Sequence, residues 1–226
     1  MPPGTATMTR RWRCSRRRAA ARLGGWPERI RHRWPRLLVR RGSRRPPASR
    51  GRVIHTRFLA QLDEELERLT EDPRELALFE RAMKLYRELG DVRGEGESLF
   101  WVGCFHQVVR QDDDTAVPIL ERSYELGSQV GDKRTMSEAL RHLGIAEHRA
   151  GRLETARQRL EESVRLRRDI GLMPGVAANL VGLAYIAAGV GDHDQALALL
   201  KEAAAIAEAS GAHRITRQVE DSRAQL

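Results

Sequence analysis

Residues 137–171 read SEALRHLGIAEHRAGRLETARQRLEESVRLRRDIG, and this stretch decides the fold. Apolar and small side chains recur at three- and four-residue spacing on both sides of Gly151, which is typical of two amphipathic helices joined by a turn. The pattern repeats along the chain every 40 residues. The aligned columns are Gly131, Gly171 and Gly211; Ala116, Ala156 and Ala196; Leu120, Leu160 and Leu200; and Leu126, Leu166 and Ile206. A fixed period of this length indicates a repeat architecture.

The small residues in these columns predict how the helices pack. Gly103, Gly144 and Ala184 on the first helix of each unit, like the alanine column on the second helix, leave no bulk where two helices cross. One step of the repeat is 41 residues long, and we expect the extra residue in the turn at 111–114. Because a single helix pair cannot bury its apolar face, stacked pairs are expected to bury a continuous core. The predicted fold is all-α, a right-handed α-solenoid of antiparallel helix hairpins.

Residues at the helix ends predict where each helix starts and stops. Gly90, like the glycine column at 131, 171 and 211, suits the left-handed conformation that follows a helix. Asp91, Asp132 and Asp192 suit the N-cap position. Asp72 with Glu75 three residues later is the pattern of a capping box.

The motif Leu140-x-x-Leu143-Gly144, followed by Gly151 and Ala156, resembles the tetratricopeptide repeat. The usual period of that family is about 34 residues, so the 40-residue spacing is similar to a long-repeat branch found in bacterial regulatory proteins. The resemblance implies a concave face, lined by the first helix of each pair, that binds a peptide or a partner protein. The characteristic Asn and Lys residues of the family's carboxylate clamp for chaperone tails are missing.

Two regions of different character are predicted. Residues 53–226 are expected to form the solenoid, with hairpins at about 53–89, 93–130, 133–170 and 174–210 and a closing helix at 213–224. Residues 1–52 are predicted to be a disordered Arg-rich arm, because high charge with few apolar residues cannot offset chain entropy. The first 50 residues contain 16 Arg, no Lys and one acidic residue, a net charge of +15, whereas the rest carry a net charge of −6.

The role of the arm stays open between several interpretations. It could bind nucleic acid without sequence preference, through guanidinium contacts with phosphates. Further alternatives are a non-functional extension from an upstream start and an organellar transit peptide. The arginines that would contact nucleic acid are Arg10, Arg11, Arg13, Arg16, Arg17 and Arg18.

No catalytic, metal or cofactor site is predicted. The histidines are scattered without the spacing of metal ligands, and Cys104 and His106 point in different directions on a helix. No apolar run approaches the roughly 20 residues needed to span a membrane. Two cysteines 90 residues apart fit a reducing compartment, so a cytoplasmic location is expected.

The candidate binding residues are those that the repeat register turns away from the helix crossing. They combine aromatic side chains with arginine, the composition of interaction hot spots. An alternative is that Phe100 and Trp101 instead pack against the preceding helix pair. The candidates are Glu97, Phe100, Trp101, Gln107, Glu138, Arg141, Ile145, His148, Arg149 and Tyr185.

The function predicted from the sequence is therefore a non-catalytic protein–protein interaction module that binds a peptide or partner protein on the concave face. Self-association is a further expectation. The alternative is a regulator of transcription or signalling whose Arg-rich arm contacts nucleic acid.

Overall fold

In the computed structural model, the chain from residue 73 onward is a succession of helices joined by short turns. The structure describes residues 48–49, 51–55 and 71–225. Within residues 71–225 there is no β-strand. The helices are α1 (Pro73–Glu88), α2 (Val92–Val108), α3 (Asp113–Gln129), α4 (Lys133–Arg149), α5 (Leu153–Asp169), α6 (Met173–Gly189), α7 (His193–Ala209) and α8 (His213–Gln225).

Neighbouring helices pack as antiparallel pairs that stack on one another. The most extensive contacts join α2 with α3, α4 with α5, and α6 with α7. The first helices of successive pairs, α2, α4 and α6, also contact each other, and α8 packs on α6 and α7. The predicted all-α solenoid of helix hairpins is confirmed. No helix in the part of the chain that the structure describes is both long and apolar enough to cross a bilayer.

The small residues lie at the helix crossings, as their columns predict. A Cβ atom on Gly144 would lie 3.0 Å from Cγ of Leu160, and one on Gly103 would lie 2.7 Å from Cγ of Leu120. The facing Ala156 is completely buried. In the α2–α3 and α4–α5 pairs, the missing Cβ atoms therefore let a leucine of the second helix sit directly on the backbone of the first.

A buried hydroxyl joins the two helices of a pair at equivalent positions in consecutive repeats. Ser123 Oγ donates to the carbonyl oxygen of Gly96 at 2.8 Å, and Ser163 Oγ donates to that of Ser137 at 2.6 Å. In the next pair the position is Ala203, which is fully buried and has no hydroxyl to satisfy. Each hydroxyl is thus paired inside the core, where an unpaired one would be costly.

The turns end the helices with a residue of positive φ. Gly131, Gly171 and Gly211 have φ of 64°, 69° and 65°, which confirms the predicted left-handed conformation. Between α2 and α3 this conformation falls on Gln111, with φ of 54°, at the position that is Gly151 in the next repeat. The turn that carries the extra residue therefore places a non-glycine residue in a region that L-residues disfavour.

The N-cap residues are the predicted ones, but the side-chain contacts at α1 and α4 differ from the prediction. Asp91 and Asp192 accept hydrogen bonds from the backbone N–H of Gly94 and Gln195, both at 3.0 Å. Asp132 is the N-cap residue of α4 but caps no backbone N–H with its side chain. Asp72 is the N-cap of α1, and its side chain accepts from the backbone N–H of Arg74 at 2.9 Å. The predicted capping box does not form, because the Glu75 carboxylate is buried and its Oε1 lies 2.7 Å from Nδ1 of His55.

Helical residues occur before the predicted start of the solenoid. Residues 48–49 and 51–55 are helical, so the predicted boundary between arm and solenoid at residue 53 falls within this stretch. The six arginines predicted to contact nucleic acid, at positions 10, 11, 13, 16, 17 and 18, lie outside the described residues.

Candidate functional site

A groove of about 920 Å³ runs along one face of the stacked helices. Its walls come mainly from the first helices of successive pairs, α2 and α4, with Ala178 of α6, and from the closing helix α8. Arg52 and His55 also line the groove. The volume is in the range of ligand sites in proteins, and the lining mixes apolar, aromatic and charged side chains.

One end of the groove is aromatic. The indole of Trp101 stacks on Phe79 of α1 with ring centroids 5.5 Å apart, and it makes a T-shaped contact with Phe100 with centroids 5.0 Å apart. Phe100 is only 5% exposed, whereas Trp101 is partly exposed. Both residues line the groove. Trp101 also packs against the preceding helix pair through Phe79, whereas the ring contacts of Phe100 are with Trp101 and with His142 of α4. Trp101 is the larger accessible aromatic surface.

The thiol of Cys104 lies between two imidazoles at the base of the groove. Its Sγ is 3.6 Å from Nε2 of His55 and 3.8 Å from Nε2 of His142. Burial, followed by the carboxylates of Glu138 and Glu75, raises the pKa of Cys104, so the thiol stays protonated at neutral pH. Among the described residues, no group of three His, Cys, Asp or Glu side chains is arranged to hold a metal ion.

His142 is held in its neutral form. Burial, reinforced by Arg141, lowers the pKa of His142 to about 3. Its Nδ1 lies 2.5 Å from Oε1 of Gln107, whose Nε2 donates to the carbonyl oxygen of His142 and to Asp113 Oδ1. Because the Gln107 amide nitrogen is donating, its oxygen accepts, which assigns the ring proton to Nδ1.

The floor between α4, α5 and α6 contains two guanidinium groups and one carboxylate. Arg167, which is 3% exposed, pairs through Nη2 with Glu138 Oε2 at 2.6 Å. Asn179 Oδ1 accepts from Arg141 Nη1 at 2.9 Å and from Arg167 Nη1 at 3.2 Å. Asn179 Nδ2 donates to Ser163 Oγ at 2.7 Å. An uncharged amide therefore holds two cations together.

Burial depresses the basicity of both arginines on this floor. The pKa of Arg141 is lowered to about 10, first by burial and then by the neighbouring charge of Arg167. The pKa of Arg167 is also lowered by burial, although Glu138 opposes that effect. Both side chains stay charged at neutral pH, and only one carboxylate, that of Glu138, faces them.

The structure brings six of the ten candidate residues together in the groove and leaves four elsewhere. Gln107 is 1% exposed and engaged with His142, and Arg149 lies 3.3 Å from Asp113. His148 is exposed but outside the groove, and Tyr185 accepts a hydrogen bond from Ser222 of α8. The six groove residues are Glu97, Phe100, Trp101, Glu138, Arg141 and Ile145.

Several groove residues were missed from the sequence. The closing helix contributes Arg214, Ile215, Arg217 and Asp221, although the candidates were drawn from the paired helices only. Asn179, the one asparagine in the chain, was not among the candidates. The occurrence of a single asparagine in the whole sequence is the signal that could have identified this amide, which links Arg141, Arg167 and Ser163.

Comparisons with known proteins support the repeat architecture. A model of the tetratricopeptide repeat family matches residues 106–169. No curated protein matches the chain by sequence.

Three solved structures share the fold at low sequence identity. BtubC (BKLC) from P. vanneervenii has a TM-score of 0.52 and 18% identity, over 65% of this chain and 61% of that chain. Aspartyl phosphate phosphatase F from Bacillus subtilis has a TM-score of 0.50 and 11% identity, over 69% of this chain and 46% of that chain. A kinesin light chain-like protein with nearly identical TPR-like repeats from Podosopora anserina has a TM-score of 0.52 and 15% identity, over 81% of this chain and 90% of that chain.

These similarities define the architecture of the chain. The aligned regions span less than two thirds of BtubC and of the phosphatase, and the identities support the fold alone. The long-repeat branch stays a prediction. The paired helices, their stacking and the family match together lead to one conclusion. Residues 106–169 resemble tetratricopeptide repeats in sequence, and the described helix pairs share the fold of TPR-like repeat proteins.

Proposed function

We propose that this chain is a non-catalytic protein-interaction module that binds a peptide segment of a partner protein in the groove between α2, α4 and α8. The observation that carries the proposal is the groove itself. Its lining combines Trp101 and Arg141, residue types that supply much of the binding energy in protein interfaces, with the apolar side chain of Ile145.

The chemistry of the groove supports binding in preference to catalysis. Nucleophilic catalysis by cysteine needs a thiolate, and the pKa of Cys104 is raised. General acid–base catalysis by histidine is most effective with a pKa near neutrality, and burial lowers the pKa of His142 to about 3. Both groups therefore remain in their neutral forms, as packing residues would.

Position-dependent photo-crosslinking tests the proposal. A photoreactive amino acid is placed at Ile145, inside the groove, or at Arg165, which is exposed on α5. The two full-length variants are irradiated in an extract of the cell that produces the protein, and crosslinked peptides are identified by mass spectrometry. We expect the same partner segment to crosslink from position 145 and not from position 165.

The proposal fails if position 145 yields no crosslinked protein, or if the same partners crosslink equally from position 165. Thermal melting of both variants provides the control for folding. A cytoplasmic location, which fits the buried unpaired thiol of Cys104, remains part of this proposal.

A further inference from the structure

The groove floor carries one more positive charge than it can neutralise from its own side chains. Arg141 and Arg167 face a single carboxylate, and that carboxylate pairs with Arg167. Among residues 48–49, 51–55 and 71–225, no carboxylate lies within ion-pair distance of Arg141. A partly buried cation without a counter-ion is energetically costly, which is why its pKa is lowered.

Arg141 also retains unused hydrogen-bonding capacity. Its contacts with the Ala178 carbonyl oxygen at 3.2 Å and with Asn179 Oδ1 at 2.9 Å both come from Nη1. Nε and Nη2 have no acceptor among the described residues. The two remaining nitrogens of a guanidinium form the planar fork that matches both oxygens of a carboxylate. Because Arg141 lines the groove, this fork is accessible to a ligand.

The surroundings of Arg141 strengthen the positive charge. Arg134 and Arg217 are exposed and line the same groove, on α4 and α8. The Glu97 carboxylate is paired with Arg52 at 2.7 Å, so it offers little compensation. The excess of arginine is specific to the groove, because the chain after residue 50 has 24 basic and 30 acidic residues, a net charge of −6.

We propose that Arg141 is the subsite for an acidic side chain of the bound segment, so that the groove selects acidic peptides. This inference rests on the function proposed above and names the partner's chemistry. The carboxylate of a ligand Asp or Glu supplies the counter-ion that the floor lacks, and it accepts from the open edge of the guanidinium. Apolar side chains of the same peptide contact Trp101 and Ile145.

A peptide fits this groove better than a nucleic acid does. Glu97, Glu138 and Asp221 line the walls between the arginines, so a continuous row of phosphates would meet carboxylates as well as guanidinium groups. A peptide with a few spaced acidic residues avoids this repulsion. The apolar side chains of a peptide can also pack against Trp101, Ile145 and Ile215, whereas phosphates make no such apolar contacts.

A peptide-display selection tests the proposal on the full chain. A random peptide library is selected in parallel on the natural protein, on Arg141→Gln and on Arg157→Gln. Arg157 is exposed on α5, outside the groove, so its variant removes the same charge elsewhere. Any peptide bound by the Arg-rich N-terminal residues is common to all three selections and is subtracted.

We expect Asp and Glu to be enriched in peptides selected on the natural protein and on Arg157→Gln, and the enrichment to disappear on Arg141→Gln. The affinity of a selected peptide should fall about 30-fold or more with Arg141→Gln, the loss expected for a desolvated charge pair. It should also fall when its acidic residue is replaced by the matching amide. Thermal melting confirms that Arg141→Gln is folded.

The other outcomes overturn the inference in distinguishable ways. Groove peptides that crosslink from position 145 but show no acidic preference would overturn the acidic subsite and leave the proposed function intact. If no selected peptide crosslinks from position 145, both proposals fail. If Arg141→Gln weakens binding of a labelled 20-nucleotide single strand more than binding of any peptide, the groove binds nucleic acid and the inference is wrong.

Discussion

The guanidinium of Arg141 in α4 donates a hydrogen bond of 2.9 Å to Oδ1 of Asn179 in α6, which joins the first helices of two consecutive repeats. The same oxygen accepts from Arg167 in α5, and the amide nitrogen donates to Ser163. Asn179 is completely buried. One amide therefore links the packing between repeats to the charged floor of the groove.

Substitutions of Asn179 separate the two roles of this amide. Asn179→Ala removes the acceptor that Arg141 and Arg167 share, although Arg167 Nη1 keeps its bond to the Gly175 carbonyl oxygen, and it should lower the free energy of unfolding by about 2–3 kcal/mol. Asn179→Asp keeps an acceptor and adds a charge between the two guanidiniums, so it should destabilise less at pH 7. Urea denaturation measures both effects. Equal destabilisation by Ala and Asp would contradict the role of Oδ1 as the shared acceptor.

A side chain at Gly144, where two helices cross, should destabilise the fold. With Gly144→Ala the new Cβ lies 3.0 Å from Leu160 Cγ, so we expect the free energy of unfolding to fall by about 1 kcal/mol or more. Gly189→Ala is the matched control, because Gly189 ends α6 with nothing within 4 Å of a new Cβ. The control should gain up to roughly 1 kcal/mol from helix propensity. A stabilising effect of Gly144→Ala would refute the close helix crossing.

Gln111 predicts a stabilising substitution. A left-handed conformation costs a non-glycine residue about 1–2 kcal/mol, and the φ of Gln111 is 54°. After the larger conformational entropy of glycine is subtracted, Gln111→Gly should raise the free energy of unfolding by about 0.5–1 kcal/mol. Gln158→Gly, at an exposed position within α5, should lower it by about 1 kcal/mol. Thermal or urea denaturation checks both, and a loss of stability in Gln111→Gly would disprove strain at this turn.

His142 predicts a pH dependence of stability. The unfolded side chain titrates near pH 6.5, whereas burial lowers the pKa of folded His142 to about 3. Between these values the unfolded state binds a proton that the folded state does not. The contribution of neutral His142 to the free energy of unfolding is therefore complete above pH 6.5 and is lost as the pH falls towards 3. The slope reaches at most about 1.4 kcal/mol per pH unit.

The variant His142→Gln isolates this effect from the titration of carboxylates. The stability difference between the natural protein and His142→Gln should shift in favour of the variant as the pH falls from 7 to 4. A difference that does not change with pH would show that His142 is not buried in the neutral form.

The fold was predictable because its determinants recur locally. A residue of small volume at a helix crossing, such as Gly144 or Ala156, and a left-handed glycine, such as Gly171, are each required once per repeat. The 40-residue period therefore displays them directly in the sequence. The conformation of Gln111 was harder to predict, because the residue occupies a glycine position without being glycine.

The candidate site was predictable only in part, because its chemistry depends on contacts between distant residues. Repeat register placed Trp101 and Arg141 on the face that lines the groove. It could not show that Gln107 is buried and hydrogen-bonded to His142, or that the Glu75 carboxylate contacts His55 and completes no capping box. The contribution of α8 depends on how the last helix folds back over α6, which no column of the repeat encodes.

Backbone amide NMR of the full chain, titrated with a peptide from the display selection, tests the central claim most directly. We predict that the largest chemical-shift changes fall in residues 97–108 of α2, 134–145 of α4 and 214–221 of α8, and that Arg141→Gln suppresses them. Changes concentrated instead on α3, α5 and α7 would show that the partner binds the opposite face and would contradict the groove as the binding site.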